Sequence, residues 1–329
     1  IIMKRLPVPG VKSKENTVKE KDLLNHKACK YRIYPNDEQI TQLFKTWGCV
    51  RFVYNKLLDL QKSNRENGIK HMTGVDMNNY VNRSLKNEFP WLKEVDKFSL
   101  TNAALALDRA YKGFFNKICR FPKYKSRRNK QSYTTNYTNN NIEIFDNSIK
   151  LPKLGRVEAI IHRKPSDKWK IKGATISMET DGSIYVSVLM ERIDKIDIEA
   201  IEKKMPKNPV AFDYVSDGLI CDQGGDILGS PKYYRNASKR LKRAQKKLSH
   251  MIESHITGYT IKDGKRFPKY DKPLKGCKNI EKQRKKIAKL SRHVANQRKD
   301  FLHKTSAAIA KAHDGVYVES LNMKDMSNK

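Results

Sequence analysis

The sequence predicts a multidomain α+β protein in which a small β-barrel is interrupted by a helical insertion and followed by a separate α/β unit. Three observations carry this expectation. Apolar residues at helical spacing fill residues 37–120, between a strand-like segment ending at Pro35 and Asn36 and a run of short strands from Ile142 to about Ile193. Beyond Pro209 two apolar strands each close on a carboxylate, Asp213 and Glu319, with two long basic amphipathic segments between them. With 329 residues and 38% hydrophobic content, the chain is long enough to bury more than one core.

The elements follow in order. A polar leader, residues 1–26, has no periodicity and is expected to be mobile. "HKACKYRIY" reads as a strand with Ala28, Tyr31 and Ile33 inward. Asp37 is the expected N-cap of a long helix burying Ile40, Leu43, Phe44, Trp47, Val50, Val53, Tyr54 and Leu57. A second helix, capped near Ser99 or Thr101, is expected to bury Leu105, Leu107, Ala110, Phe114 and Phe115. The strands after Ile142 include a hairpin at Asp181-Gly182, a pair suited to tight turns. A charged connector leads to "VAFDYV" and a strand from Gly218 to Cys221. Leu241, Leu248 and Ile252 then share one helical stripe, and Ile287, Leu290, Val294, Phe301 and Ala308 share another, so the two helices are expected to pack as an antiparallel hairpin. "GYTIKDGKRFPKYDKPLKGCKN" between them reads as a loop. Val316, Tyr317 and Val318 form a last strand, read as covered on both faces.

Charge narrows the function. Lys and Arg number 68 against 35 Asp and Glu, a formal net charge of +33. Each phosphate that such a surface neutralises releases condensed counterions, so nucleic acid is the favoured partner. The stretch "RFPKYKSRRNKQSYTTNY" sharpens this reading. There Tyr124 and Tyr133, suited to stacking on bases, alternate with Lys125, Arg127, Arg128 and Lys130, suited to phosphates. Arg284, Arg292 and Arg298, on the outward face of the last helix, read either as solvated charge or as a track for a duplex backbone. The five cysteines include no C-x-x-C pair, so neither a zinc site nor a disulfide framework is expected. No stretch approaches the ~18 apolar residues of a membrane span. A cytoplasmic, nucleoid-associated protein with no membrane partner is expected.

A carboxylate at the tip of an apolar strand is costly unless something binds there. Two of them in one α/β unit, beside so much positive charge, suit Mg²⁺, a hard cation that takes oxygen ligands and assists in-line phosphodiester displacement. Asp213 and Glu319 are therefore the candidate catalytic and metal-binding residues.

"FPKYKSRRNKQSYTTN", "LPKLGRV", "SPKYYRNASKRLKRAQKKLS" and above all "VANQRKDFLHKTS" followed by "VYVESLN" resemble the TnpB family, transposon-encoded RNA-guided DNA endonucleases related to compact type V CRISPR nucleases. The likeness runs from about Lys27 to the last residues. It implies a wedge β-barrel at residues 27–36 and 131–195, a helical recognition domain at 37–130, and a RuvC domain with an RNase H-like fold at 208–329. It also implies a guide RNA and a double-stranded DNA target next to a short motif. Asp213 and Glu319 match the first two RuvC acids, although Val215 stands where the commoner family pattern has Gly. Tyr54, Asn55, Asn102, Thr134, Thr135 and Asn136 fall in the polar segments matching those that read the motif in DNA.

The family pattern continues past the glutamate with a zinc ribbon and a third acidic motif, neither of which these 329 residues contain. The expectation is a chain without zinc and with a weakened Mg²⁺ site, which binds guide and target but does not cleave efficiently. It would be either a nuclease-dead, repressor-like binder or part of an active endonuclease. A basic structural or regulatory RNA-binding protein with no guided DNA target stays open as the alternative. Guide, motif and oligomeric state are not legible.

Overall fold

The computed structural model describes residues 22–195, 206–215, 218–262 and 264–319. They divide into two compact units, Asp22–Asp194 and the residues from Lys195 onward.

The first unit begins with strand β1 (Asp22–Tyr34), which starts inside the expected leader. Strict alternation buries Cys29, Tyr31 and Ile33 and leaves Ala28 exposed, so Cys29 takes the inward place expected for Ala28. Helix α1 (Asp37–Glu66) follows. Its cap is Asn36, not Asp37: Asn36 Oδ1 accepts the Gln39 N–H at 2.8 Å while Gln39 Oε1 accepts the Asn36 N–H at 3.1 Å. Asp37, one place on, sits in the first turn, where a carboxylate favours the positive end of the helix dipole. Leu43, Trp47, Val50, Val53, Tyr54 and Leu57 line the buried stripe. Phe44, expected there, is 47% exposed and lies on the flank of the stripe, where its ring meets that of Trp47 edge-on at 5.4 Å.

Helix α2 (Gly74–Tyr80) runs on through a π-helical turn, Val81–Leu85, and a 3₁₀ turn at Pro90–Glu94. Helix α3 (Lys97–Phe115) is capped by Asp96, whose carboxylate accepts the Ser99 N–H at 3.0 Å. The face that packs inward carries Leu100, Ala103, Ala104, Leu107 and Tyr111. Leu105, Ala110 and Phe114 are half-buried and Phe115 is exposed, contrary to expectation.

These helices stand between β1 and a run of strands: β2 (Gln131–Asn136), β3 (Glu143–Ile144), β4 (Ser148–Leu151), β5 (Gly155–Ile160), β6 (Lys170–Met178) and β7 (Ile184–Lys195). With β1 they form one seven-stranded sheet in the order β2-β6-β7-β1-β5-β4-β3. The Asp181-Gly182 hairpin joins β6 to β7, with Met178 opposite Ile184 and Gly182 at φ +85°. Tyr133 is buried in the sheet, which corrects its reading as a base-stacking residue.

The second unit holds a four-stranded sheet of β8 (Pro209–Tyr214), β9 (Ile220–Asp222), β10 (Ile227–Leu228) and β13 (Gly315–Val318), in the order β10-β9-β8-β13. Helix α4 (Tyr233–Glu253) packs on helix α5 (Lys278–Ala312), and Gln283 Nε2 donates to the Ala244 carbonyl at 2.8 Å. The expected stripe is only half-covered: Val294 is buried, Leu241, Leu248, Ile252, Ile287, Leu290 and Phe301 are intermediate, and Ala308 is exposed. The segment read as a loop between these helices instead forms a two-stranded hairpin, β11 (Ile256–Lys262) and β12 (Lys265–Tyr270), turning at Gly264 with φ +72°. No helix of the described residues is long and apolar enough to cross a membrane.

Candidate metal centre and nucleic-acid interface

The two predicted acids stand on neighbouring strands of a parallel pair. Strand β13 pairs with β8 in the register Gly315↔Pro209, Val316↔Val210, Tyr317↔Ala211 and Val318↔Phe212. Glu319, directly after β13, and Asp213, within β8, each stand one residue beyond the last pair of this register.

Their register is set at the opposite end of the strands. Asp314 accepts the Lys207 N–H at 2.7 Å through Oδ2 and the Asn208 N–H at 2.9 Å through Oδ1, while Asn208 Nδ2 donates to the Ala312 carbonyl at 2.8 Å. Gly315 permits the close approach, since a Cβ there would meet Pro206 Cβ at 2.7 Å.

Both acids are exposed, not buried as strand tips suggested, and Tyr317 and Val318 are 54% and 59% exposed. Among the described residues β13 is the edge of its sheet, with β8 as its one paired neighbour, so its tip is not covered on both faces. Asp213 Oδ1 accepts the Tyr214 N–H at 2.7 Å, which fixes the carboxylate and leaves Oδ2 for another partner. Two adjacent carboxylates open to water fit Mg²⁺, which keeps several waters and takes one or two carboxylates. Among the described residues no cluster of three or more His, Cys, Asp or Glu side chains could hold a metal.

The predicted nucleic-acid residues of the first unit fall into two clusters. In one, Asn55 on α1 bridges the backbone of Lys125: its Nδ2 donates to the Lys125 carbonyl at 2.9 Å and its Oδ1 accepts the Lys125 N–H at 2.8 Å. The Lys125 ammonium lies 4.0 Å from the centre of the Tyr54 ring. Burial, and the neighbouring Arg109 charge, push the Lys125 pKa below the ordinary lysine value. Tyr54 is 5% exposed, so its ring serves as a platform for Lys125 and is not open to a base. Tyr124 is exposed, with its hydroxyl donating to Asp59 and Lys62 placed 4.0 Å from its ring centre. Arg127, Arg128 and Lys130 are exposed on the same loop.

In the other cluster Asn102 Nδ2 lies 3.0 Å from both the Thr134 carbonyl and Asn136 Oδ1, and the Thr134 hydroxyl meets that of Thr175 at 2.9 Å. Thr135 points into the sheet and is fully buried, so it does not share this surface. In the second unit Arg284 and Arg298 are exposed on α5, the latter 5.9 Å from the Tyr234 ring centre, and Arg292 is half-buried.

A family model for the helix-turn-helix domain of the IS605 OrfB type matches residues 25–70, and a model for the IS605 OrfB transposase matches residues 185–329. The chain is 28% identical over 302 residues to a Streptomyces pristinaespiralis protein that carries the name RNA-guided DNA endonuclease, covering 91% of this chain and 68% of that protein. It is 27% identical over 309 residues to InsQ of Escherichia coli K12, which carries the same name, covering 91% and 67%. The chain belongs to the TnpB family.

A solved neighbour of this TnpB-family chain is the Cas12f1 chain in a complex with its single guide RNA and target DNA. The TM-score is 0.54 over 91% of this chain and 81% of that one, at 10% identity, which shows a shared mixed α/β fold. A shorter relative, the virulence protein VsdF of Salmonella dublin, is 33% identical over 114 residues and is covered over 96% of its length.

Sequence reading of this TnpB-family chain missed three residues that build these sites. Asp314 was legible in principle, since "HDG" before an apolar run marks the turn into a strand. Trp47 and Arg51, beside the Lys125 loop, gave no signal, because a helical stripe reads the same whether or not a loop folds over it.

Proposed function

We propose that the chain is an RNA-guided DNA-binding protein of TnpB type, with Asp213 and Glu319 as the Mg²⁺-binding carboxylates of a RuvC-type nuclease centre. The observation that supports it most is the parallel β8–β13 register, whose last pair, Val318 and Phe212, stands one residue before the two acids. In this reading the seven-stranded sheet is the wedge, helices α1 to α3 are the recognition domain, and the residues from Asn208 onward are the RuvC-like unit. The first unit holds a guide RNA and the motif-bearing end of a DNA duplex. Base pairing with the guide reads the sequence, and the protein reads backbone and shape.

The chain's own residues have separable roles. Arg127, Arg128 and Lys130 neutralise phosphates, and Asn55 holds the loop that carries them. Asn102 and Asn136 offer amide groups suited to a base edge, the Asn102–Asn136 contact giving way to one with the base. The Tyr214 N–H orients Asp213, and Glu319 supplies the second carboxylate. Mg²⁺ bound there would stabilise charge on the attacked phosphodiester.

The test is to load the chain with a guide and offer a matched and a scrambled duplex, each with the Asp213→Ala variant alongside. Retention of the matched duplex alone, by both proteins, is expected, since holding the target does not require the carboxylate. Any Mg²⁺-dependent cutting must vanish in the variant. Equal retention of both duplexes would refute guided recognition.

A further inference from the structure

A cavity of 290 Å³ in the first unit is lined by Trp47, Arg51, Lys125, Lys130 and Gln131, with Ser126 and Ser132 among the remaining wall residues. Its chemistry is one-sided. Trp47 is 2% exposed and its indole Nε1–H is buried with no acceptor. The Arg51 guanidinium donates to the neutral Gln131 Oε1 at 3.1 Å, and the Lys125 ammonium lies over the Tyr54 ring at 4.0 Å; neither forms an ion pair among the described residues. Lys130 meets Glu179 only at 3.7 Å, and that carboxylate lies closer to Lys30, at 2.7 Å.

Buried donors without acceptors and half-buried cations without anions each cost free energy in a finished core. Here Trp47, Arg51 and Lys125 line one cavity. We propose that this cavity is a binding site for a single phosphate group, with the Arg51 guanidinium and the Lys125 ammonium as counter-charges and the Trp47 indole as part of the wall beside them. Burial lowers the pKa of Arg51, with the Arg127 charge adding to it, and burial lowers that of Lys125, with Arg109 adding to it, which is the electrostatic state that an anion would relieve. The inference rests on the nucleic-acid reading for its natural ligand, a backbone phosphate. Free inorganic phosphate offers the same chemistry.

Two measurements separate these sources. The first follows the indole N–H resonances of the full chain during titration with inorganic phosphate, against chloride at equal ionic strength. The Trp47 resonance, assigned by its loss in Trp47→Phe, should move saturably with phosphate and stay still in Arg51→Gln. The second is the salt dependence of binding to a DNA duplex. Arg51→Gln should weaken binding about five- to tenfold across unrelated sequences and reduce the slope of log K against log salt by about one.

Movement of the resonance together with the changed slope assigns the site to a backbone phosphate. Movement with an unchanged slope assigns it to the free anion. A Trp47 resonance that ignores phosphate overturns the proposal, whatever the slope does. Because the titration needs neither guide nor target, a failure of guided binding would leave it decisive.

Discussion

Asp314 accepts the backbone N–H of Asn208 at 2.9 Å, and with the Lys207 N–H at 2.7 Å this ties the start of β13 to the start of β8. The clamp lies at the far end of the strand pair from Asp213 and Glu319, yet it sets their register. Replacing Asp314 by Ala removes two charge-assisted hydrogen bonds and should destabilise the second unit by about 2 kcal/mol. Amide exchange checks it: the β13 amides should lose protection while those of the first unit keep theirs.

Asn55 holds the basic loop by both faces of the Lys125 peptide. Asn55→Ala should free that loop at a cost of about 1–3 kcal/mol, since the Lys125 N–H and carbonyl both lose their partner in a half-buried place. Limited proteolysis should then cut within residues 116–130 faster than in the parent. Asn55→Asp should fall between the two, because it keeps an acceptor for the N–H and loses the donor to the carbonyl.

His71 makes the first unit sensitive to acid. Its ring stands 4.7 Å from that of Tyr111 and 5.5 Å from that of Phe115, and burial lowers its pKa from the usual 6.5, with Asp108 opposing. The unfolded chain therefore binds the proton more readily than the folded one. Its contribution is fully present above pH 6.5 and is lost as pH falls through the lower folded value. Thermal melts should show the parent losing more stability than His71→Gln between pH about 7 and about 5.

That Asp213 and Glu319 stand on neighbouring strands was legible because two apolar runs each ending in an acid are a pattern of residue types. Their exposure was not, since the coverage of a strand tip depends on what packs beside it and not on the strand itself. Cap positions failed by one residue at Asn36 for a related reason: Asn and Asp are both good caps, and only the reciprocal bond with Gln39 chooses between them. The hairpin at Gly264 carried the same Asp-Gly signal as the one at Gly182. It was obscured by a lysine-rich setting that resembles a loop. Tyr133 and Thr135 sit in a polar, basic stretch, yet strand alternation sends both inward.

Guided recognition is the central claim, and sequencing the RNA that co-purifies with the chain tests it most directly. One RNA species is predicted, with a constant segment and a variable end, and a duplex complementary to that end should be retained. A random mixture of cellular RNAs, with no duplex preference following from its sequence, would contradict the account and leave a basic RNA-binding protein without a guided target.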